Sequence, residues 1–201
     1  MSLYSLALFI HLLGLIAVFG AFVLLQNAGR RLRGVTTWQE ARPWLDLLRS
    51  INGMVAGGLI MMLGTGLYMS HELWSFTTPW VMVGIIAAAL LMIGEPLVVG
   101  RKIGELRRAA EENQGVIPAD RRAVITGSPL WSTIHAMNGA ALGMVWVMSA
   151  KPGWTQSIAV PLALAVLGAM VGVWAPRARH EPTRGTEEGL SPPLARGHRA
   201  R

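Results

Sequence analysis

An all-α, polytopic membrane bundle of five transmembrane helices, N-terminus out and C-terminus in, is the fold class the sequence predicts. Three observations carry it. Hydrophobic residues make up 52% of the 201 positions and charged residues 14%, with a mean hydropathy of +0.43, more apolar surface than one soluble core of this size needs. Five stretches approach the ~20 apolar residues that cross about 30 Å of hydrocarbon. The basic residues fall in the gaps between them.

Taken in order, the stretches run over about 3–25, 51–69, 80–99, 130–150 and 158–174. The first carries no basic region before its apolar run and no small-residue cleavage site, so it reads as a retained helix rather than a signal peptide. After it come Arg30, Arg31, Arg33, Arg42 and Arg49; after the third come Arg101, Lys102, Arg107, Arg108, Arg121 and Arg122. With the N-terminus outside, every lysine and arginine except Lys151 becomes cytoplasmic, as retention of basic loops requires. Trp74, Trp80, Trp146 and Trp154 then flank the outer ends, and Trp131 and Trp174 the inner ones, at the headgroup level that tryptophan prefers.

Between the first two spans, Trp38, Trp44, Leu45, Leu47 and Leu48 alternate with Glu40, Arg42, Asp46 and Arg49, which predicts a short amphipathic helix lying on the cytoplasmic surface. Residues 101–113 read as a charged extension of the third helix that breaks at Gly115 and Pro118. Residues 1–176 thus form the bundle, and 177–201 a basic cytoplasmic tail too poor in apolar residues to fold. Small residues at Gly14, Ala17 and Ala21, at Gly53, Gly57 and Gly64, and at Gly139 and Gly143 predict close helix packing.

The net charge of +7 does not indicate nucleic-acid binding, because it sits in interhelical gaps. The absence of cysteine removes disulfides, thiolate metal sites and cysteine nucleophiles. No phosphate loop, HExxH or serine elbow occurs. The methionines, Met61, Met62, Met144 and Met148 among them, read as apolar filler ahead of copper ligands.

Polar groups inside a bilayer are costly, so each is a functional candidate. His11 lies about 12 Å into the first helix at 1.5 Å per residue. A neutral imidazole bonded to a neighbouring helix and a ligand or proton-transfer group are equally good accounts of it. Lys151 reads first as a helix-end lysine snorkelling to water, and His71, beside Glu72, as a solvated interfacial histidine. Glu95 and His135 lie at similar depths on the inner side, with Asn138 three residues from His135 on the same face. A Glu95–His135 hydrogen bond is the expected arrangement, and a second ligand or proton-entry site the sharper alternative.

The segment from Phe9-Ile10-His11-Leu12-Leu13-Gly14 to Phe19-Gly20-Ala21, the Gly64-Thr65-Gly66-Leu67-Tyr68 stretch and the Lys151-Pro152 pair resemble a group of small bacterial integral membrane proteins of unknown function. That group is similar to the haem b-containing membrane protoporphyrinogen oxidase and the copper-resistance D families. The resemblance implies haem b, with His11 and Lys151 in the haem-binding positions, and His71 stands as another second-ligand candidate. Phe19 occupies a position where a tryptophan is usual, and a fifth helix follows the Lys151-Pro152 pair.

The function these readings favour is a multi-pass protein of the bacterial cytoplasmic membrane that binds haem b in redox or electron-transfer service. A quinone or redox protein as partner and a homo-oligomer are both compatible with it. A cofactor-free structural or assembly protein is the alternative. A small-ion or metal transporter using His11, Asn138, His135 and Glu95 is the third reading.

Overall fold

The computed structural model describes residues 2–174; the predicted tail at 177–201 lies outside them. Seven α-helices follow in order: α1 (Leu3–Gly34), α2 (Trp38–Leu73), α3 (Pro79–Gly94), α4 (Arg101–Glu112), α5 (Ala119–Thr126), α6 (Ser128–Ala150) and α7 (Trp154–Trp174). A π-helical turn, Glu95–Gly100, joins α3 to α4 without a break. Pro96 explains this turn: it has no N–H to donate, and its ring crowds the carbonyl one turn back. The ladder widens, and the Arg101 N–H bonds the Pro96 carbonyl five residues behind it.

Among the described residues, four helical stretches are long and apolar enough to cross a membrane: Leu3–Gly34, Trp38–Leu73, Pro79–Glu112 and Trp154–Trp174. The stretch expected as the fourth of five spans does form a helix, α6, of 23 residues. It is not among those four, because Ser132, His135 and Asn138 dilute its apolar content.

At 32 and 36 residues, α1 and α2 are about 48 and 54 Å long, well beyond the ~30 Å of hydrocarbon. Their surplus length builds a helical head with α4 and α5. Within it Leu32, Trp38, Leu45, Leu48, Leu106 and Ile125 are buried together. The segment expected as a separate helix lying on the membrane surface is instead the first part of α2, continuous with the rest of it. Its apolar face is covered by protein, and polar bonds fix it there. Arg42 donates through Nε to the Ala110 carbonyl (2.6 Å) and through Nη2 to that of Asn113 (3.1 Å), occupying acceptors that the end of α4 leaves open. Arg107 of α4 pairs with Asp46 of α2 at 2.7 Å. The break after α4 falls where the sequence places it. Gly115 takes φ +82°, and its carbonyl accepts from the Trp38 N–H (2.9 Å) while the Ile117 N–H reaches the Thr36 carbonyl (2.9 Å).

Two pairs of helices pack through glycine. A Cβ on Gly14 of α1 would lie 2.7 Å from the Gly58 carbonyl oxygen of α2, so the backbones meet there. On α6 and α7, Gly139 faces the Leu164 backbone, Gly143 faces Pro161, and Gly168 faces the His135 backbone. Gly53, Gly57 and Gly64 do not serve as expected, since a Cβ on any of them would meet nothing within 4 Å. The residue of α2 at the close approach is Gly58. Trp131 also departs from its expected place at the headgroups: it is 1% exposed, its ring fills the space beside Gly29 of α1, and its indole N–H donates to the Ile125 carbonyl (2.8 Å). Trp74, Trp146 and Trp154 are exposed.

Candidate functional site

His11 projects from α1 onto α2. Its Nδ1 lies 2.9 Å from the Met62 carbonyl oxygen and 3.2 Å from Thr65 Oγ1. A carbonyl can only accept, so this bond requires the proton on Nδ1. Thr65 gives its own hydrogen to the Met61 carbonyl (2.6 Å) and is free to accept from the ring. Nε2 then carries the lone pair, and among the described residues no hydrogen bond engages it. Gly66 flanks the ring edge: a Cβ there would stand 3.4 Å from His11 Cε1.

Lys151 is elsewhere. It closes α6 in a left-handed conformation, φ 50° and ψ 51°, with its N–H on the Val147 carbonyl. A non-glycine residue in that region is strained, and a following proline restricts it further. The ammonium lies 4.6 Å from the Trp74 ring centroid and 5.7 Å from that of Trp80, over two rings that meet edge to face at 5.0 Å. Trp74 follows Thr65 by nine positions on α2, about 13 Å of helical rise. The structure therefore does not bring Lys151 to His11. His71 is solvated, with its side chain 77% exposed and Nδ1 3.9 Å from Glu72 Oε1.

Glu95 and His135 form no bond with each other. His135 Nδ1 donates to the Trp131 carbonyl one turn back on its own helix (2.7 Å). Glu95 instead lines a cavity of about 20 Å³ with Asn138 of α6 and Asn52 of α2. Asn52 was not among the sequence candidates. It stands at the boundary of an apolar run beside Arg49, Ser50 and Gly53, where a polar residue attracts no notice. A helical register for the whole of α2, with Asn52, Val55 and Leu59 on one face, was the signal that could have found it.

Among the described residues, no cluster of three His, Asp or Glu side chains is placed to hold a metal ion. The methionines pack as filler: Met62 lies against Gly14, and Met144 and Met148 over Gly84. No family model, curated protein or solved structure matches the chain.

Proposed function

We propose that this is a multi-pass protein of the bacterial cytoplasmic membrane, five helices with the N-terminus out, that binds haem b in redox or electron-transfer service through Nε2 of His11. The observation that supports it is the His11–Met62 hydrogen bond. A backbone carbonyl on one ring nitrogen fixes the tautomer and ring orientation and leaves the other nitrogen's lone pair available, the arrangement of metal-ligating histidines. The residue so prepared is the one that the likeness to haem-containing membrane proteins singles out.

Haem b, when bound, supplies one-electron exchange at its iron, with a potential set by ligand identity and burial. What this chain contributes is the ligand and its support. Met62 and Thr65 fix the tautomer and aim of the imidazole, and Gly66 flanks the ring edge. Lys151 is engaged with Trp74 and Trp80 rather than with His11, so the reading narrows to His11 as the residue that would hold haem.

The test is the absorption spectrum of the detergent-purified chain expressed with haem supplied, oxidised and dithionite-reduced. A Soret band with sharp reduced α and β bands is expected, lost in His11→Ala and kept in Lys151→Ala. Colourless, folded wild-type protein overturns the reading.

One observation favours a second reading, a cofactor-free structural protein: His135 satisfies its Nδ1 within its own helix and needs no ligand to be stable there. On that reading His135→Ala and Glu95→Gln lower the yield of folded protein and no variant changes any spectrum.

A further inference from the structure

Near the end of α1, Arg33 is a buried charge without a counter-charge. The residue is 7% exposed, and its Nε is enclosed with no hydrogen-bond partner. Among the described residues no carboxylate lies within 4 Å of the guanidinium: Asp46 and Glu111 go to Arg107, Asp120 to Arg121, and Glu40 to the start of α2. Arg30, one turn earlier on α1, is close enough for its like charge to act on Arg33. A cation taken out of water without a counter-charge is costly. Water at the open edge would satisfy the donors and leave the charge.

The way Arg33 is held indicates what it can take. Its Cζ lies 4.2 Å from the Trp131 ring centroid, which occupies one face of the guanidinium and leaves the donors at its edge free. Nε is the one nitrogen of the three that is both enclosed and unpartnered, so Nη1 and Nη2 keep access to the surface. Two N–H groups in a rigid fork match a phosphate. Arg30 is exposed and turns back toward the apolar stretch, with Nε on the Gln26 carbonyl (3.4 Å) and Nη2 on Asn27 Oδ1 (3.1 Å).

Position along α1 selects a lipid as the source of that phosphate. The apolar run ends at Leu25. The Trp131 ring lies against Gly29, four residues or about 6 Å further on at 1.5 Å per residue, and the guanidinium rests on that ring. Headgroups occupy about 5–8 Å on each side of the hydrocarbon. The fork therefore stands at the depth of lipid phosphates, between α1 and the start of α6. Basic pockets between transmembrane helices at a membrane face are where anionic headgroups bind.

We propose that Arg33 and Arg30 form a binding site for the phosphate of one anionic phospholipid, of which phosphatidylglycerol is the probe. The site is separate from His11 and does not depend on haem. The experiment is titration of the delipidated full chain in detergent with dioctanoyl phosphatidylglycerol, read by native mass spectrometry as lipid held per chain. One saturable lipid per chain is expected, with dioctanoyl phosphatidylcholine and inorganic phosphate both weaker. Arg33→Met and Arg30→Gln should each weaken it by about tenfold or more, the scale of a hydrogen bond to a charged group. Arg49→Gln, which removes an exposed arginine of α2 outside the site, should bind as wild type. Absence of saturable binding overturns the proposal. Equal losses in Arg33→Met and Arg49→Gln also overturn it, since they mean general attraction to a basic surface. Inorganic phosphate that binds as tightly as phosphatidylglycerol overturns the lipid assignment. Stability without lipid separates a purely structural arginine: Arg33→Met should be at least as stable as wild type, because an apolar chain replaces an uncompensated buried charge. Lower stability with unchanged lipid binding overturns the proposal. Should Arg33→Met fail to fold, Arg33→Lys decides by the same loss of binding, because it keeps the charge and removes the fork.

Discussion

Trp131 occupies a hole that only glycine at position 29 leaves open, and it ties the start of α6 to α1. Its ring also carries the Arg33 guanidinium at 4.2 Å from the centroid. Removing the ring takes away a large buried surface, empties a cavity and strands the Ile125 carbonyl that the indole N–H satisfies. Trp131→Ala should therefore destabilise by about 3–5 kcal/mol, read by denaturant titration in micelles. Trp131→Phe, which keeps most of the volume and loses the hydrogen bond, should cost clearly less. Gly29→Val should act on the same contact from the other side. Neither role was visible in the chain, because a tryptophan near the end of an apolar run has two uses, headgroup anchor and interhelical wedge. Only the partner residue separates them. His11 was more legible: an isolated histidine in an apolar run has to find a polar partner, though which carbonyl it finds depends on how α1 and α2 cross.

The first part of α2 shows how far a helical pattern reaches. Trp38, Ala41, Leu45 and Leu48 recur at helical spacing and are all buried. That period establishes an apolar face without saying whether lipid or protein covers it. What decides is α4, whose Ile103, Leu106 and Ala110 share one core with that face; the capping box at Thr37 and Glu40 starts the helix there. Thr37→Ala should cost about 1 kcal/mol, measured as earlier thermal unfolding of the head by amide exchange. Glu40 lies outside the apolar stretch of α2, and the backbone N–H groups of Thr36 and Thr37 hold its carboxyl below the ordinary range. A depressed acid contributes its full stabilisation above its unfolded pKa of about 4.3 and loses it as pH falls through the lower folded value. The difference in melting temperature between wild type and Glu40→Gln should thus be constant from pH 6 to pH 8 by choice of range well above that value, and shrink below about pH 4. A gap that widens in acid would exclude this role for the carboxylate. The same limit of pattern explains Glu95: depth along each helix brings it level with His135, but rotation about the axis, altered by the π turn, sends it to Asn52 and Asn138.

At the scale of the molecule, the arginines of the first and third gaps meet in one head. Arg42 reaches α4, Arg107 reaches α2, and Arg122 donates to the Val35 carbonyl. Lys151 stands at the end of α6 with Trp74 and Trp80. This separation of charge is what retention of basic loops would produce, and it was readable because it depends on which gaps hold the basic residues and not on contacts. The status of α6 was less readable, since its cost in lipid depends on how much of Ser132, His135 and Asn138 the neighbouring helices cover. Glycine contacts with α7 run along Ser132 and the His135 backbone, cover that would let α6 cross as part of the bundle although its own hydropathy is modest. The chain has no cysteine, which permits a direct test. Arg108 and Thr155 are both exposed, and a cysteine at each should react with a membrane-impermeant maleimide from opposite sides: Thr155→Cys in intact spheroplasts, Arg108→Cys only after lysis. Labelling of both from the same side, whether from outside or only after lysis, would mean that α6 does not cross; Arg108→Cys alone reacting from outside would invert the topology while leaving the bundle intact.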